Sequence, residues 1–205
     1  MASPVGRLPA SARRLVDDLV DRVVDLAPHV PARDLATLRA HHPDLRAPDA
    51  LAHKLVETAA RATGAVGAAG GVVSSFELAA PPLLLSAPVQ IVAETSAVVA
   101  IELKLVAELH EVYGRPAVGT PAVRAAAYLG AWTRRRALDT LNPTSGWGGV
   151  LSGAARRQLR QRLVRRAGSN AASIVPFLAG AVAGASLNSR ETRRLGQQLI
   201  RDLAH

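Results

Sequence analysis

The sequence contains no cysteine in its 205 residues. This absence excludes disulfide bonds, thiolate metal sites and cysteine nucleophiles, and it favours a reducing compartment. Aromatic residues make up only 3% of the chain, so the hydrophobic core must be built from Ala, Val and Leu. The low aromatic content also argues against binding of single-stranded nucleic acid, because few side chains are available for base stacking.

Short motifs that mark catalytic or cofactor sites are missing as well. No GxSxG, Walker A or GxGxxG pattern stands between a strand and a helix, and no HExxH spacing occurs. The adjacent His41 and His42 cannot share a helix face, and the other histidines are isolated. We therefore expect no metal site, no cofactor and no catalytic residue. We also expect no secretory signal, since residues 1–18 are amphipathic and acidic where an uncharged core would be required.

Charge is distributed unevenly along the chain, although the net value is +9. Residues 1–114 contain slightly more acidic than basic residues, whereas residues 115–205 contain 15 arginines and only three acidic residues. Such asymmetry suggests an acidic partner for the C-terminal half: an anionic lipid, a nucleic acid or the acidic half of the same protein. The alternative is that the arginines cover solvated helix faces.

The hydrophobic pattern is helical almost throughout and predicts one all-α domain, residues 1–205, of about seven or eight helices. The first helices, within 10–45, are amphipathic, and Pro31 and Pro48 stand where first-turn prolines belong. The longest predicted helix ends at Gly114, which we expect to be its C-cap. The helices after the first are predicted at 32–41, 48–63, 89–113, 120–139, 153–166 and 189–204.

Two segments rich in small residues, 62–93 and 170–187, are nearly free of charge. Prolines interrupt the first segment, and the second has only 17 consistently small or apolar residues, the short limit for crossing a bilayer. We expect these segments to pack against the 89–113 helix, at or near a membrane surface. The candidate residues of the second segment are Pro176, Gly180, Gly184 and Asn188.

Asn188 has a local explanation that needs no ligand. Together with Glu191 it forms a capping-box-like pattern, which predicts that a separate last helix begins there. Gly180 and Gly184 form a GxxxG pattern, which allows close contact between helices both in lipid and in soluble bundles rich in alanine.

The long helix carries carboxylates that do not fit its hydrophobic pattern. At 100° per residue Glu94 falls on the apolar stripe, and Glu102 falls at its edge. Glu108 belongs to the predicted polar face. A carboxylate in an apolar stripe must be paired, protonated or close to water. Pairing with arginines of the C-terminal half is the favoured interpretation, and a proton-handling acid or a site for a cationic group is the other.

An arginine-rich run forms a basic amphipathic helix at about 153–166. Such a helix suits an anionic membrane surface as readily as a phosphate backbone. No recognition helix with an adjacent turn can be placed, so nucleic acid is disfavoured. The residues expected to bind an anionic surface are Arg156, Arg157, Arg160, Arg162, Arg165 and Arg166.

The stretch VPFLAGAVAGASLNSRETRRLG resembles the C-terminal signature of the EcsC family, through Pro176, Gly180, Gly184 and Asn188. The Gly/Ala run at 64–71 and the stretch ETSAVVAIELKLVAELHEVYG resemble the same family, and together the similarity covers about 48–203. This resemblance implies the helical fold and membrane association, and it implies no catalytic residues.

These observations favour a non-enzymatic, membrane-associated bacterial protein on the cytoplasmic side, accessory to transport or to envelope function. Its expected partner is an anionic membrane surface or a membrane protein. The alternative is a soluble helical bundle that encloses a small apolar or lipid-like ligand among the Gly/Ala segments. An enzyme that uses Glu94 or Glu102 is the weakest hypothesis.

Overall fold

The computed structural model describes residues 21–79, 87–137 and 177–205. Within these ranges the chain is all helical and contains no strand, which confirms the predicted fold class. Pro176 and the arginine-rich run at 156–166 lie outside the described residues. The α-helices are α1 (Leu35–His41), α2 (Pro48–Ala79), α3 (Ala87–Val112), α4 (Pro121–Ala137) and α5 (Phe177–Leu203).

The N-terminal part forms a strap across the bundle, which we define as residues 27–34. The 3-10 turn Ala27–His29 follows helical residues 21–26, so the helix ends close to Pro28 as predicted. The strap ends at the N-cap of α1, where the Asp34 carboxylate accepts a 2.8 Å hydrogen bond from the Thr37 N–H.

Helix α2 is twice as long as the sequence pattern predicted, at 32 residues instead of 48–63. Its second half contains the Gly/Ala run at 64–71, and the change of composition at Ala62 ended the predicted helix. Packing against a neighbouring helix outweighs the low helix propensity of the glycines in this run. Helix α3 matches its prediction closely, and Gly114 behind it has φ +66°, a value that a C-cap glycine adopts readily.

Helix α5 corrects the prediction of two separate segments. It runs without a break from Phe177 to Leu203, so Asn188 lies in its middle and caps nothing. The capping-box interpretation of Asn188 and Glu191 is therefore wrong. The side chain of Asn188 is buried and donates to the backbone oxygen of Thr63 on α2, 3.2 Å away. The side-chain amide of Asn188 therefore bonds to another helix, whereas the local sequence pattern had predicted that it caps the start of its own helix.

Helices α2 and α5 form the most extensive contact in the described bundle, and they are antiparallel. Val56 lies against Gly196 near one end of the pair, and Gly67 lies against Gly184 towards the other. Helix α3 is antiparallel to α2, since the Tyr113 hydroxyl near its end donates to Asp49 in the first turn of α2. The small-residue part of α5 therefore packs mainly on α2, and α3 contacts both helices.

The hydrophobic core lies at the end of the bundle that contains the first turns of α2 and the last turns of α3 and α5. Trp132 on α4 is completely buried there. Such burial of apolar area is the main stabilising contribution to the fold. Other fully buried members are Leu38, Leu51, Val106, Leu109, Leu195 and Leu199.

Gly67 and Gly184 bring the backbones of α2 and α5 into direct contact. A Cβ atom at Gly67 would lie 2.5 Å from the carbonyl oxygen of Gly184, and one at Gly184 would lie 2.7 Å from that of Gly67. Neither backbone oxygen can move aside without displacing its helix. Close contact of this kind is what the GxxxG pattern of Gly180 and Gly184 allows.

We expect Gly67→Ala to destabilise the fold by about 1–3 kcal/mol or more, because the added methyl group forces the two backbones apart. The matched control is Gly130→Ala in α4, where the nearest atom to a Cβ is the mobile Arg134 Nη1 at 3.6 Å. That control should stabilise by about 0.5–1 kcal/mol through helix propensity. Urea unfolding followed by circular dichroism measures both. Equal effects of the two substitutions would contradict the close contact.

Glu108 holds the strap onto α3 and corrects a second prediction. It was assigned to the polar face, yet its side chain is only 4% exposed. Arg33 Nε and Nη2 donate to its two carboxylate oxygens at 2.8 and 3.0 Å, and Lys104 Nζ lies 2.6 Å from Oε1. Lys104 also donates to the backbone oxygen of Pro31 in the strap. Burial by itself would raise the pKa of Glu108, but the hydrogen bonds from these two cations outweigh it and lower the pKa.

Glu108→Gln should cost about 2 kcal/mol of stability at pH 7, because three charge-assisted hydrogen bonds, two from Arg33 and one from Lys104, lose their anion. Since the folded-state pKa lies below the ordinary glutamate value, this contribution is complete above that value and disappears as pH falls through the lowered pKa. The difference in the free energy of unfolding between wild type and variant, measured by urea unfolding, should therefore become smaller from pH 7 to pH 3.

The control for that experiment is Glu57→Gln. Glu57 forms a bidentate pair with Arg193, but both side chains are partly exposed, Arg193 to 38% and Glu57 to 48%. We expect a cost of about 0.5 kcal/mol or less there, because solvent screens exposed pairs. A Glu108→Gln effect as small as that of the control would show that the strap has no such anchor.

Candidate functional site: a buried polar layer

Glu102 lies at the junction of four helices, with its side chain inside the bundle and only 1% exposed. The indole N–H of Trp132 on α4 donates to Glu102 Oε2 over 2.8 Å. The hydroxyl of Thr192 on α5 donates to Oε1 over 3.0 Å. The sequence placed Glu102 at the edge of the apolar stripe of its helix, and in the bundle its side chain is fully interior.

The hydrogen bonds continue from Thr192 to α2. The hydroxyl oxygens of Thr63 and Thr192 are 2.9 Å apart and share a hydrogen bond, and the Thr63 hydroxyl also lies 3.1 Å from the Ala60 backbone oxygen. Asn188 closes the network through its bond to the Thr63 backbone oxygen. We call the five residues Thr63, Glu102, Trp132, Asn188 and Thr192 the polar layer. It connects α2, α3, α4 and α5 by hydrogen bonds.

Thr95 extends the polar character of α3 beyond the layer. It lies seven residues before Glu102, hence on the same helix face and about 10 Å further along the axis. Its hydroxyl is buried and has no hydrogen-bond partner within the described part of the chain. Thr58 and Thr133, by contrast, donate to a backbone oxygen of the preceding turn. Burying a hydroxyl without a hydrogen-bond partner lowers the free energy of unfolding, so Thr95 destabilises the bundle close to the polar layer.

The polar layer divides the bundle into two chemically different ends. On one side lies the hydrophobic core with its Leu, Val and Trp side chains. On the other side lie the last part of α2, the first turns of α3 and the first half of α5. Their residues 62–79, 87–93 and 177–189 include Glu77 as the one charged residue. We call these three segments the low-charge end.

The topology explains why these segments come together. Helix α2 runs towards this end, and α3 begins there after the short connection from Ala79 to Ala87. Helix α5 is antiparallel to α2 and therefore also begins there. Thus two regions that are about a hundred residues apart in the sequence share one end of the fold.

The arrangement gives no support to catalysis by the carboxylates. Glu102 is enclosed by its hydrogen-bond partners, and Trp132 beside it is completely buried, so no substrate reaches it without separation of the helices. Glu94 is half-buried on α3 and lies two turns closer to the low-charge end. Pairing of these carboxylates with arginines of the C-terminal half remains a prediction.

The structure brings three of the predicted residues into one neighbourhood: Glu102, Gly184 and Asn188. Gly180 lies one turn before Gly184, in the first turns of α5. Sequence reasoning missed Thr63, Thr192 and Trp132, the partners of Glu102 and Asn188. Trp132 could have been singled out from the sequence, because the chain has so few aromatic residues. Nothing in the sequence distinguishes Thr63 and Thr192 from the other threonines.

Comparisons with known protein families, with curated proteins and with solved structures find no match for this chain. In the described ranges no three His, Asp or Glu side chains are grouped so that they could hold a metal ion. None of the described helices has both the length and the hydropathy needed to cross a bilayer.

Two Thr→Val substitutions test the polar layer because they should have opposite signs. Thr192→Val removes the donor to Glu102 and the hydrogen-bond partner of the Thr63 hydroxyl, and we expect a cost of about 1–3 kcal/mol. Thr95→Val replaces a buried hydroxyl that has no described partner by a methyl group, and we expect a gain of about 1 kcal/mol.

The reference for both is Thr58→Val, an exposed helical threonine whose hydroxyl donates to the Lys54 backbone oxygen. It reports the effect of the substitution itself on an α-helix. Thermal and urea unfolding of the three variants supplies the comparison. If Thr192→Val were as stable as the wild type, the hydrogen bonds of the layer would contribute nothing to the fold.

Proposed function

We propose that this chain is a non-enzymatic bacterial protein that lies on the cytoplasmic face of a membrane, where it is accessory to transport or to envelope function. The single observation that carries the proposal is the convergence of the nearly uncharged parts of α2, α3 and α5 at one end of the bundle. An end of low charge enters the region between lipid headgroups and acyl chains at a much lower desolvation cost than a charged surface.

Exposed apolar surface next to the polar layer supports this orientation. Leu187, at the border of the low-charge end, is 51% exposed although it is a large hydrophobic residue. Its neighbour Asn188 points inward to Thr63, so Leu187 belongs to the outer face of α5. The proposal places this face against the membrane.

The charge distribution of the sequence supports an anionic surface as the partner. The arginine-rich run at 156–166 belongs to the strongly basic part of the chain that joins α4 to α5. We propose that it lies on anionic headgroups while the low-charge end enters the interface. Each basic residue near such a surface contributes about 1 kcal/mol, and the attraction weakens with ionic strength.

The resemblance of residues 48–203 to the EcsC family is a separate reason for membrane association, and we propose that this is an EcsC-like domain. We also propose that the complete bundle has seven or eight helices. Five α-helices are described, residues 21–26 are helical, and the predicted basic helix at 153–166 would be a further one.

The alternative function is a soluble bundle with an apolar or lipid-like ligand among the Gly/Ala segments. The contact between Gly67 and Gly184 argues against a ligand cavity between α2 and α5 at the position of these two glycines. The two backbones are too close to admit even a methyl group between them.

Vesicle flotation tests the membrane proposal. The protein should float with vesicles that contain anionic phosphatidylglycerol at low salt, and it should bind weakly to vesicles of phosphatidylcholine alone. Raising the salt to 0.5 M, roughly a 4 Å screening length, should reduce the binding strongly. A protein that stays in the dense fraction with anionic vesicles at low salt would overturn the proposal.

Two variants of equal charge separate insertion from simple charge attraction. Leu187→Glu places a carboxylate at the border of the low-charge end, and Val123→Glu places one in the first turn of α4, remote from that end. The two side chains have similar exposure, 51% and 54%. We expect Leu187→Glu to lower vesicle binding about tenfold and Val123→Glu to change it little. Equal losses would contradict the proposed orientation.

A further inference from the structure

A cleft lies under the strap, between the strap, α3 and α4. Its volume is about 290 Å³, and it is open to solvent at one side. The strap forms one wall with Ala27 and Val30, and α3 and α4 form the other walls with Leu103, Ala107 and Tyr128. Small-molecule sites are concave, and this cleft is slightly smaller than their usual range of roughly 300–1,000 Å³. Most of its lining residues have apolar side chains, while its exposed surface is polar and apolar in similar measure.

Among the described residues that line the cleft, Arg124 is the charged one, His29 is a further polar side chain, and none is Asp or Glu. The Arg124 side chain is 42% exposed, and its Nη2 atom lies 3.9 Å from Glu111 Oε1, too far for a good hydrogen bond. A guanidinium held this loosely at the edge of an apolar cleft is well placed to bind the carboxylate of a ligand, since Arg pairs with carboxylates through two parallel hydrogen bonds.

The strap keeps the cleft in shape. Its far end is attached to α3 by the Arg33–Glu108 pair and by the bond from Lys104 to the Pro31 backbone oxygen. Tyr128, on the α4 wall, is fixed by the bond that its hydroxyl accepts from the Ala117 N–H, 3.0 Å away. These contacts preform the cleft, which lowers the entropic cost of binding.

We propose that this cleft binds a small anion with an apolar tail, of the class of medium-chain carboxylates, with the tail between the strap and α3 and the carboxylate on Arg124. The apolar side chains of the walls select the tail, and the Arg124 guanidinium selects the sign of the head group. This site lies outside the low-charge end, and its occupation does not depend on membrane binding.

Isothermal titration calorimetry of the full chain, without vesicles, provides the test. Octanoate should bind saturably at one site per protein. Butyrate has the head group without the tail, and octylammonium has the tail with the opposite charge, so both should bind at least tenfold more weakly. Octylammonium binding as tightly as octanoate would overturn the proposal, and so would the absence of saturable octanoate binding.

Substitutions at Arg124 and Glu111 should act in opposite directions. Arg124→Gln should weaken octanoate binding about tenfold, whereas Arg124→Lys should restore part of it. Glu111→Gln removes the competing carboxylate and should strengthen the binding a few-fold. The control is Arg115→Gln, an exposed arginine outside the cleft, which should leave the affinity unchanged.

We expect all four variants to remain folded, because Arg124 and Arg115 lie at the surface and neither belongs to the core. Unfolding curves of the variants check this expectation. An Arg115→Gln effect equal to that of Arg124→Gln would mean that octanoate senses only the general positive charge. That result would overturn the assignment to the cleft, as would unchanged affinity in Arg124→Gln.

Discussion

The direct contact of two helix backbones at Gly67 and Gly184 is the constraint on which the rest of this structure depends. A Cβ atom on either residue would overlap the carbonyl oxygen of the other helix. Because α2 and α5 approach so closely, short side chains can make hydrogen bonds between them. Thr63 reaches Thr192, and the Asn188 amide reaches the Thr63 backbone oxygen.

The polar layer follows from this close approach and gives the bundle its register. A chain with a core of Ala, Val and Leu has few large side chains that interlock, so sliding of one helix along another would cost little packing energy. Buried hydrogen bonds penalise sliding, since each displaced partner would be left unsatisfied in the interior. Glu102 is central to the polar layer because its two carboxylate oxygens accept hydrogen bonds from both α4 and α5.

The same layer separates two proposed activities in space. The low-charge end on one side suits contact with a membrane, and the cleft beneath the strap on the other side suits a small anion. Glu108 links the strap to α3 through a buried charge pair, and the strap in turn provides one wall of the cleft.

The sequence by itself determined the fold class, the long helix that ends at Gly114, and the absence of catalytic motifs. These features depend on local periodicity and on residues with special backbone preferences, which a short window of sequence contains. Only the tertiary structure decided that α5 is one continuous helix, that Asn188 serves α2 and caps nothing, and that Glu108 is buried. For Asn188 and Glu108, a partner more than seventy residues away bonds to the polar group, and a local pattern holds no information about that partner.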